Sequence, residues 1–542
     1  MRTETWHAKH THASPLTPDD EQKLLRLIQE AAGLAPFEPE DMARLLRKHT
    51  RARGQFAKDQ IIAAYRQFCD EGRLTFDDET LRRLQMKPVR TLSGVATVTV
   101  LTKPFPCPGQ CIFCPTDVRM PKSYLADEPG AIRAEYHHFD PYETTASRLR
   151  ALDNIGHPTD KIELLILGGT WSYYPPDYQE WFIRRCFDAM NGVESDSLEE
   201  AQRINETAAH RNVGLVIETR PDYIDADEVR RLRRYGVTKV QLGAQSLDDH
   251  ILDINKRGHT VEQTRGAVQL LRAAGFKLHL HWMPNLLGAT PASDLLDYEK
   301  LWSDPGLRPD ELKIYPCSLV REAELVKWWE RGEYQPYTDD ELIALIAECK
   351  VHTPRYVRLN RIIRDIPAGH VVAGSTASNL REVVKRRLKE EGRRCECIRC
   401  REVKGGKVKR DELLLKTIEY ATTGGQEHFL SFETNDDRLA GFLRLSLPTP
   451  EAAALTGMDE LGPQTAIIRE VHVYGPVVRL GDEAERGEAQ HAGLGTQLIH
   501  EAEHRAREAG YSRLAVISAI GTRAYYRKQG FVLGELYMHK SL

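Results

Sequence analysis

Three cysteines in one short loop, Cys107, Cys111 and Cys114 in the run CPGQCIFC, constrain this chain more than any other feature. Soft thiolates select iron–sulfur clusters or zinc over hard cations. At this spacing three thiolates can wrap three irons of a cubane and leave the fourth iron open to bind and reduce a small molecule. A structural zinc would want a fourth ligand close in sequence, and none follows Cys114. Phe113, between the last two cysteines, suits a loop that must be shielded from water.

The sequence around the loop predicts an α/β scaffold. VATVTVLT is strand-like and leads directly into the cysteines, and IELLILGG, GLVIETRP, KVQLGAQS, KLHLHWMPN and ELKIYP follow. Helical segments such as DADEVRRLRRYG and TVEQTRGAVQLLRAAG lie between them. Such alternation predicts a parallel sheet, open or closed into a barrel, whose strand-end loops carry the chemistry. Residues 1–90 read as a small basic helical unit and 91–320 as the barrel. Residues 321–410 read as a connector holding the strand-like YVRLNRIIRDI and the second cysteine run CECIRC. Residues 411–542 form a last α/β unit with strands HFLSFE, LAGFLRLSL and AIIREVHVYG, then a helix starting near Gly493.

The 542 residues suit several domains. No apolar run approaches the 18 residues or more of a membrane span, and the polar start MRTETWHAKHTHASP lacks a signal-peptide core. A cytoplasmic, membrane-free protein is expected. Six of the ten cysteines fall in two tight clusters, which in a reducing compartment mean metal rather than disulfides.

Net charge is only −4, but two segments are strongly basic. Residues 44–66 hold seven Lys/Arg against one acid, and 385–410 hold twelve against four. Two such segments on a near-neutral chain are the expected footprint of a nucleic-acid backbone.

With these residues in view, the chain resembles the catalytic subunit of Elongator in its bacterial or archaeal single-chain form. The carriers include KPVRTLSGVA, CPGQCIFCP, AIRAEY with DPYE, LGGTW, IETRPD, QLGAQS, NKRGHT, HWMPNL, RDIPAG, REVHVYG, the Gln490–Gly495 loop and GTRAYYRKQGF. The resemblance runs from about Lys87 to Leu542. It implies a radical S-adenosylmethionine partial (β/α) barrel fused to a GNAT-like acetyl-CoA domain. It also implies synthesis of 5-carboxymethyluridine at the tRNA wobble position, with acetyl-CoA as carbon source.

That resemblance assigns roles. Cys107, Cys111 and Cys114 would hold a [4Fe–4S] cluster fed by an electron donor. Gly168, Gly169 and Thr170 would let a backbone edge approach the methionine amino group of S-adenosylmethionine. Gln241 and Gln245 are candidates for its ribose or carboxylate. Gln490, His491, Ala492, Gly493, Leu494 and Gly495 would cradle the acetyl-CoA pyrophosphate at a helix N-terminus. Tyr526, or the adjacent Tyr525, would protonate the leaving thiolate. On charge, and not on the resemblance, the anticodon stem-loop would lie on Arg44, Arg47, Lys48, Arg51 and Arg53, and on Lys385, Arg386, Arg387, Arg393 and Arg394, while Lys256 and Arg257 would face its phosphates or belong to a plain surface loop. The wobble base would flip into the barrel mouth.

Cys395, Cys397 and Cys400 rest on spacing alone. Three thiolates in so short a loop suit a structural zinc that takes a fourth ligand from elsewhere. Cys317 is the choice for that ligand, with Cys349 or a histidine as alternatives, and a second iron–sulfur cluster is the competing reading.

Two other classes stay open, as does a homodimer. A protein-lysine acetyltransferase would work without S-adenosylmethionine or tRNA, which the intact cysteine loop argues against. A tRNA-binding scaffold with a structural cluster would yield no deoxyadenosine, which the intact glycine loop and tyrosine pair argue against.

Overall fold

The computed structural model describes all residues except 1–15, 52–53, 86–90, 92, 365, 378, 405–407, 409 and 475–492. Arg53, Gln490, His491 and Ala492 of the expected sites lie outside the described residues.

The N-terminal unit is helical, as expected, with helices Pro18–Gly33, Pro39–Lys48, Lys58–Asp70 and Asp78–Leu84. A capping box between Thr17 and Asp20 starts the first of them. The helices close over their own core of Leu24, Leu27, Ile61, Ile62 and Phe68. Arg66 docks the unit on the barrel through two parallel hydrogen bonds of 3.0 Å to Asp153.

The barrel sheet contains β1 (Ala96–Leu101), β2 (Lys161–Leu167), β3 (Arg211–Thr219), β4 (Lys239–Gln245), β5 (Lys277–Trp282) and β6 (Glu311–Ile314). A short hairpin pairs β7 (Leu319–Val320) with β9 (Val371–Ala373), and between them in sequence lies β8 (Arg358–Arg361). The sheet order is β1-β2-β3-β4-β5-β6-β8, with every pairing parallel. The sheet therefore runs past residue 320, since the expected connector supplies its last strand. Leu278, Leu280 and Trp282 of β5 enter an apolar core with helix residues Leu232, Val268 and Leu271. Period-2 alternation puts Lys277, His279 and His281 on the other face. That face is polar across neighbouring strands: Glu218 of β3 stands beside Gln241 of β4, and His279 of β5 beside Glu311 of β6.

The C-terminal sheet comprises β10 (Leu413–Thr422), β11 (Gly425–Thr434), β12 (Leu439–Pro448), β13 (Thr465–Val473), β14 (Arg513–Val516), β15 (Val532–Leu533) and β16 (Met538–Ser541). Its order is β10-β11-β12-β13-β14-β16-β15. β13 and β14 pair in parallel only from Thr465 to Ile468, and β13 continues to Val473 without β14 beside it. That splay leaves strand edge free beside helix Leu494–Glu508, whose Leu498, Ile499 and Ala502 pack on the sheet with Leu443 and Leu445. Among the described residues, no helix is long and apolar enough to cross a membrane.

Candidate functional site

Strand ends of the barrel converge on the cysteine loop. β1 leads into Cys107, Cys111 and Cys114, β2 is followed by Gly168-Gly169-Thr170, and β3 is followed by Arg220. Thr170 Oγ1 lies 3.6 Å from Cys107 Sγ, so the expected glycine edge does border the loop. Gly168 has φ of 135°, and a Cβ there would overlap the Thr102 hydroxyl. Only glycine fits that turn. Ile112 pins the loop: its N–H donates to the Asn255 carbonyl (3.2 Å) and its carbonyl accepts from Leu325 N–H (2.8 Å). Burial, then neighbouring Cys111, push the Cys114 thiol up to about 12, so a metal must displace its proton.

Arg257 corrects the expectation of a tRNA-facing cation. It is only 6% exposed and points inward, with Nη1 3.5 Å from Cys111 Sγ and Nη2 donating to the Gly243 carbonyl at 2.6 Å. Its neighbour Lys256 is at the surface, over the Trp328 ring and 3.2 Å from Glu324. Arg220, which sequence reasoning missed although it sits in IETRPD, is likewise buried beneath the loop. Its Nε and Nη2 hold Asp222 at 2.9 and 2.8 Å.

Inside the barrel, Gln241 Oε1 lies 2.8 Å from His281 Nε2 and also accepts from Lys313 Nζ. Gln241 thus lies four residues deeper in the lumen than Gln245, which ends β4 with φ of 71° and a buried Oε1 that has no partner among the described residues. Burial pushes the Glu218 carboxyl up despite nearby Lys313. His281, Lys313 and Glu218 escaped sequence reasoning, although the alternation in KLHLHW and ELKI marks the inner face of β5 and β6.

The opposite end of the barrel opens into a cavity of about 1160 Å³ between the two large domains. Strand starts at Glu163, Lys239, Lys277 and Glu311 form its floor-side wall, and His472 and Tyr526 of the C-terminal domain face them. Ion pairs bind Glu163 to Lys239 (2.7 Å), Glu311 to Lys277 (2.6 Å), Glu402 to Arg358 (2.7 Å) and Glu470 to Arg444 (2.9 Å). His472 differs: among the described residues its buried Nε2 has no hydrogen-bond partner. Burial holds its imidazole down at about 4, so it is neutral at pH 7. Tyr526 is buried, and burial pushes its phenol up. Tyr525 stands edge-on to Tyr526, with centroids 5.3 Å apart, and packs beside Gly495 rather than lining the cavity. Gly493 caps the helix that Leu494 and Gly495 begin.

Cys395, Cys397 and Cys400 bring their sulfurs within 4.8 Å of one another, the one such group of three metal-ligating side chains among the described residues. Cys317 does not join them. It is buried in a separate apolar cluster with Ile112, Leu286 and Tyr334. Cys349 shares the main core with Cys395 and Cys397 but lies outside the triad. Cys400 reaches the cavity wall, with Lys350 Nζ 3.9 Å from its sulfur.

The basic segments are partly self-neutralised. Arg44 pairs with Asp41 (2.6 Å), Lys48 with Glu30 (2.8 Å) and Arg51 with Asp20 (3.3 Å), while Arg47 is exposed. In the second segment Arg387 pairs with Glu391 (2.8 Å), Arg393 with Glu348 (2.6 Å) and Arg394 with Glu396 (3.0 Å). Lys385 and Arg386 are exposed, and Lys385 borders the cavity with Arg399 and Lys404.

Comparison with known proteins agrees with this geometry. The Radical SAM superfamily model matches residues 106–293, the Radical_SAM C-terminal domain matches 309–390, and the Acetyltransferase (GNAT) family matches 402–531. A tRNA uridine(34) acetyltransferase from Dehalococcoides mccartyi is 45% identical over 84% of this chain and 99% of its own length. Elongator complex protein 3 of Homo sapiens is 37% identical over 85% of this chain and 86% of its own. The solved structure of an N-terminally deleted Methanocaldococcus infernus Elp3 is 42% identical, with a TM-score of 0.73, covering 83% of this chain and 100% of that one.

Proposed function

Because this chain belongs to the family of tRNA uridine(34) acetyltransferases and Elongator complex protein 3, we propose that it carboxymethylates the wobble uridine of cytoplasmic tRNA, drawing the added carbons from acetyl-CoA. One observation carries the reading. A single cavity has the acyl domain's Tyr526 and His472 on one wall and the floor of the barrel on the other, and the barrel's far end holds the cysteine loop. The acyl domain thus faces the strand-start end of the barrel, and the cysteine loop lies past the strand ends.

Three thiols in a pinned, half-buried loop fit a [4Fe–4S] cluster, and the Gly168–Thr170 edge and the buried Gln245 Oε1, which has no partner among the described residues, fit S-adenosylmethionine beside it. When bound, that pair supplies a carbon-centred radical through one-electron reductive cleavage, given an electron donor. At the other end, Tyr526 would protonate the departing CoA thiolate while His472 accepts a proton from the water that attacks the thioester. Gly493 and Gly495, at a helix N-terminus beside a splayed strand pair, suit the CoA pyrophosphate. Lys385, Arg399 and Lys404 at the cavity rim favour entry of the anticodon loop between the domains rather than over the cysteine loop.

The second cysteine group supports a structural zinc. Zn–S bonds of about 2.3 Å in a tetrahedron set sulfurs roughly 3.8 Å apart, which the tight triad accommodates. Thiolates that each hold a different iron of a cubane stand farther apart.

The test is anaerobic reconstitution with S-adenosylmethionine, reductant, acetyl-CoA and unmodified tRNA, followed by nucleoside mass spectrometry. Carboxymethyluridine that disappears in the triple Cys107/Cys111/Cys114→Ala variant is expected. Acetylated lysine without any modified uridine would overturn the reading.

A further inference from the structure

Buried charge without a counter-charge is the least stable arrangement a protein interior offers. Arg257 comes close to that case, since the Glu218 carboxyl acts on it only at longer range. Among the described residues it forms no ion pair: one Nη donates to the Gly243 carbonyl, its Nε has no partner, and the other Nη lies 3.5 Å from Cys111 Sγ. Arg220 sits beside it under the same loop. Asp222 holds its Nε and Nη2, and Nη1 has no partner among the described residues. A Cβ on Gly109, between Cys107 and Cys111, would overlap that Nη1, so the guanidinium lies directly against the loop backbone. The two cations are only 6% and 4% exposed. Glu218 acts on Arg257 at longer range, and among the described residues the groups directly against the two guanidiniums that can become anionic are Asp222 and the cysteine thiols.

We propose that Arg257, assisted by Arg220, is the built-in counter-ion of the cysteine-loop cluster and raises its reduction potential, which makes the one-electron reduction accessible to a cellular donor. The inference rests on the cluster reading above. Reduction adds one negative charge to an already anionic centre. A guanidinium 3.5 Å from one ligand sulfur stabilises the reduced state more than the oxidised one, and low dielectric around it strengthens the effect. Hydrogen bonds to the sulfurs and local charge are among the levers by which a protein sets the potential of an iron–sulfur centre. Arg257 is therefore a positioning residue: it acts on the ligand sulfur and need not touch substrate.

The experiment uses the full chain, anaerobically reconstituted, and a redox titration followed by electron paramagnetic resonance without S-adenosylmethionine or tRNA. Iron and sulfide are counted in wild type, Arg257→Gln and Arg257→Lys. Expected is full iron in all three, with at least a tenfold fall in the reduction equilibrium of Arg257→Gln, equivalent to about 59 mV more negative for a one-electron couple. Arg257→Lys, which keeps the charge, should stay nearer wild type. Loss of iron from Arg257→Gln but not from Arg257→Lys also supports the counter-ion role. An unchanged midpoint in iron-replete Arg257→Gln overturns it, as does equal loss of iron from both variants, because the side chain then serves the fold and not the charge. A wild type that takes up no four-iron cluster would instead sink the cluster reading itself.

Discussion

Asp310 and Arg469 join the two large domains through a two-point ion pair, Nη1 to Oδ2 at 2.8 Å and Nη2 to Oδ1 at 2.7 Å, with neither side chain exposed. Asp310 precedes β6 of the barrel and Arg469 lies on β13. Arg444 adds a third contact at 3.4 Å. Burial pushes the Asp310 carboxyl up, but Arg469 and Arg444 outweigh it and hold it well below the usual carboxylate range. Removing Asp310 leaves Arg469 to Glu427 and Arg444 to Glu470, but takes away the buried anion that both arginines share across the interface. Asp310→Ala should therefore lose about 3–5 kcal/mol of stability, read as a lower urea midpoint. A change under 1 kcal/mol would mean that the interface is not the rigid joint described.

Gly168→Ala should abolish the radical half-reaction and spare the acyl half. The new methyl would collide with the Thr102 hydroxyl at a φ of 135°, displacing the β2 edge from the cysteine loop. S-adenosylmethionine cleavage to deoxyadenosine should fall at least 100-fold, since small misplacements of reacting groups cost about that much. Acetyl-CoA hydrolysis driven by tRNA should stay within about threefold of wild type, because the Cys loop and Tyr526 lie at opposite ends of the lumen. Equal loss of both activities would contradict that separation.

Much of this was legible in the sequence, for identifiable reasons. The barrel strands show as apolar runs or as alternation such as KLHLHW, whereas Gly168-Gly169 stood out only through the family resemblance, because a double glycine ending a strand is by itself most often a plain turn. Arg257 was misplaced because a cation beside Lys256 in a loop reads as surface, and only the fold shows one turned outward and the other under Cys111. Cys317 follows β6 closely in sequence yet packs among Ile112, Leu286 and Tyr334, a neighbourhood assembled from distant segments. His472 is one histidine in an apolar strand, and its meaning comes from the splay of β13 away from β14. The last strand of the barrel, β8, was visible as YVRLNRIIRDI, but its sheet partner was not.

The two cysteine clusters should separate by metal analysis. Mass spectrometry of the reconstituted chain should find about four irons and one zinc per chain if both readings hold. Cys397→Ser, in the buried centre of the triad, should lose zinc and keep iron. Cys317→Ser should keep both, since its sulfur lies in a different apolar cluster. Loss of zinc from Cys317→Ser would restore it as the fourth ligand.

Tyr526→Phe and Tyr525→Phe should behave differently. Tyr526 lines the interdomain cavity, whereas Tyr525 packs beside Gly495. Loss of a positioned acid costs about 10²–10⁴-fold in rate, so CoA release with tRNA present should fall at least 100-fold in Tyr526→Phe. Tyr525→Phe should change it by no more than about fivefold, with any effect in acetyl-CoA affinity. His472→Gln should match Tyr526→Phe in rate while binding acetyl-CoA normally. The reverse ranking of the tyrosines would place the leaving thiolate on the other side of the helix.

Asp294 should make the chain less stable as pH rises from 4 to 7. It is buried beneath Asn285 and Tyr337, whose N–H and hydroxyl both donate to Oδ2 at 2.7 Å. Burial pushes its carboxyl up from 3.8 to about 7, against the opposing pull of those two donors. The folded state therefore keeps a proton that the unfolded chain gives up near pH 4, and stability falls with pH until the folded group also ionises. At about 1.36 kcal/mol per pKa unit the swing is roughly 4 kcal/mol. Asparagine has the same shape, accepts the same two hydrogen bonds and has no proton to lose. Asp294→Asn should thus lie close to wild type at pH 4.5 and gain on it steadily toward pH 7, as read by urea denaturation at both values. A constant difference between the two proteins across that range would mean that Asp294 is already ionised in the fold.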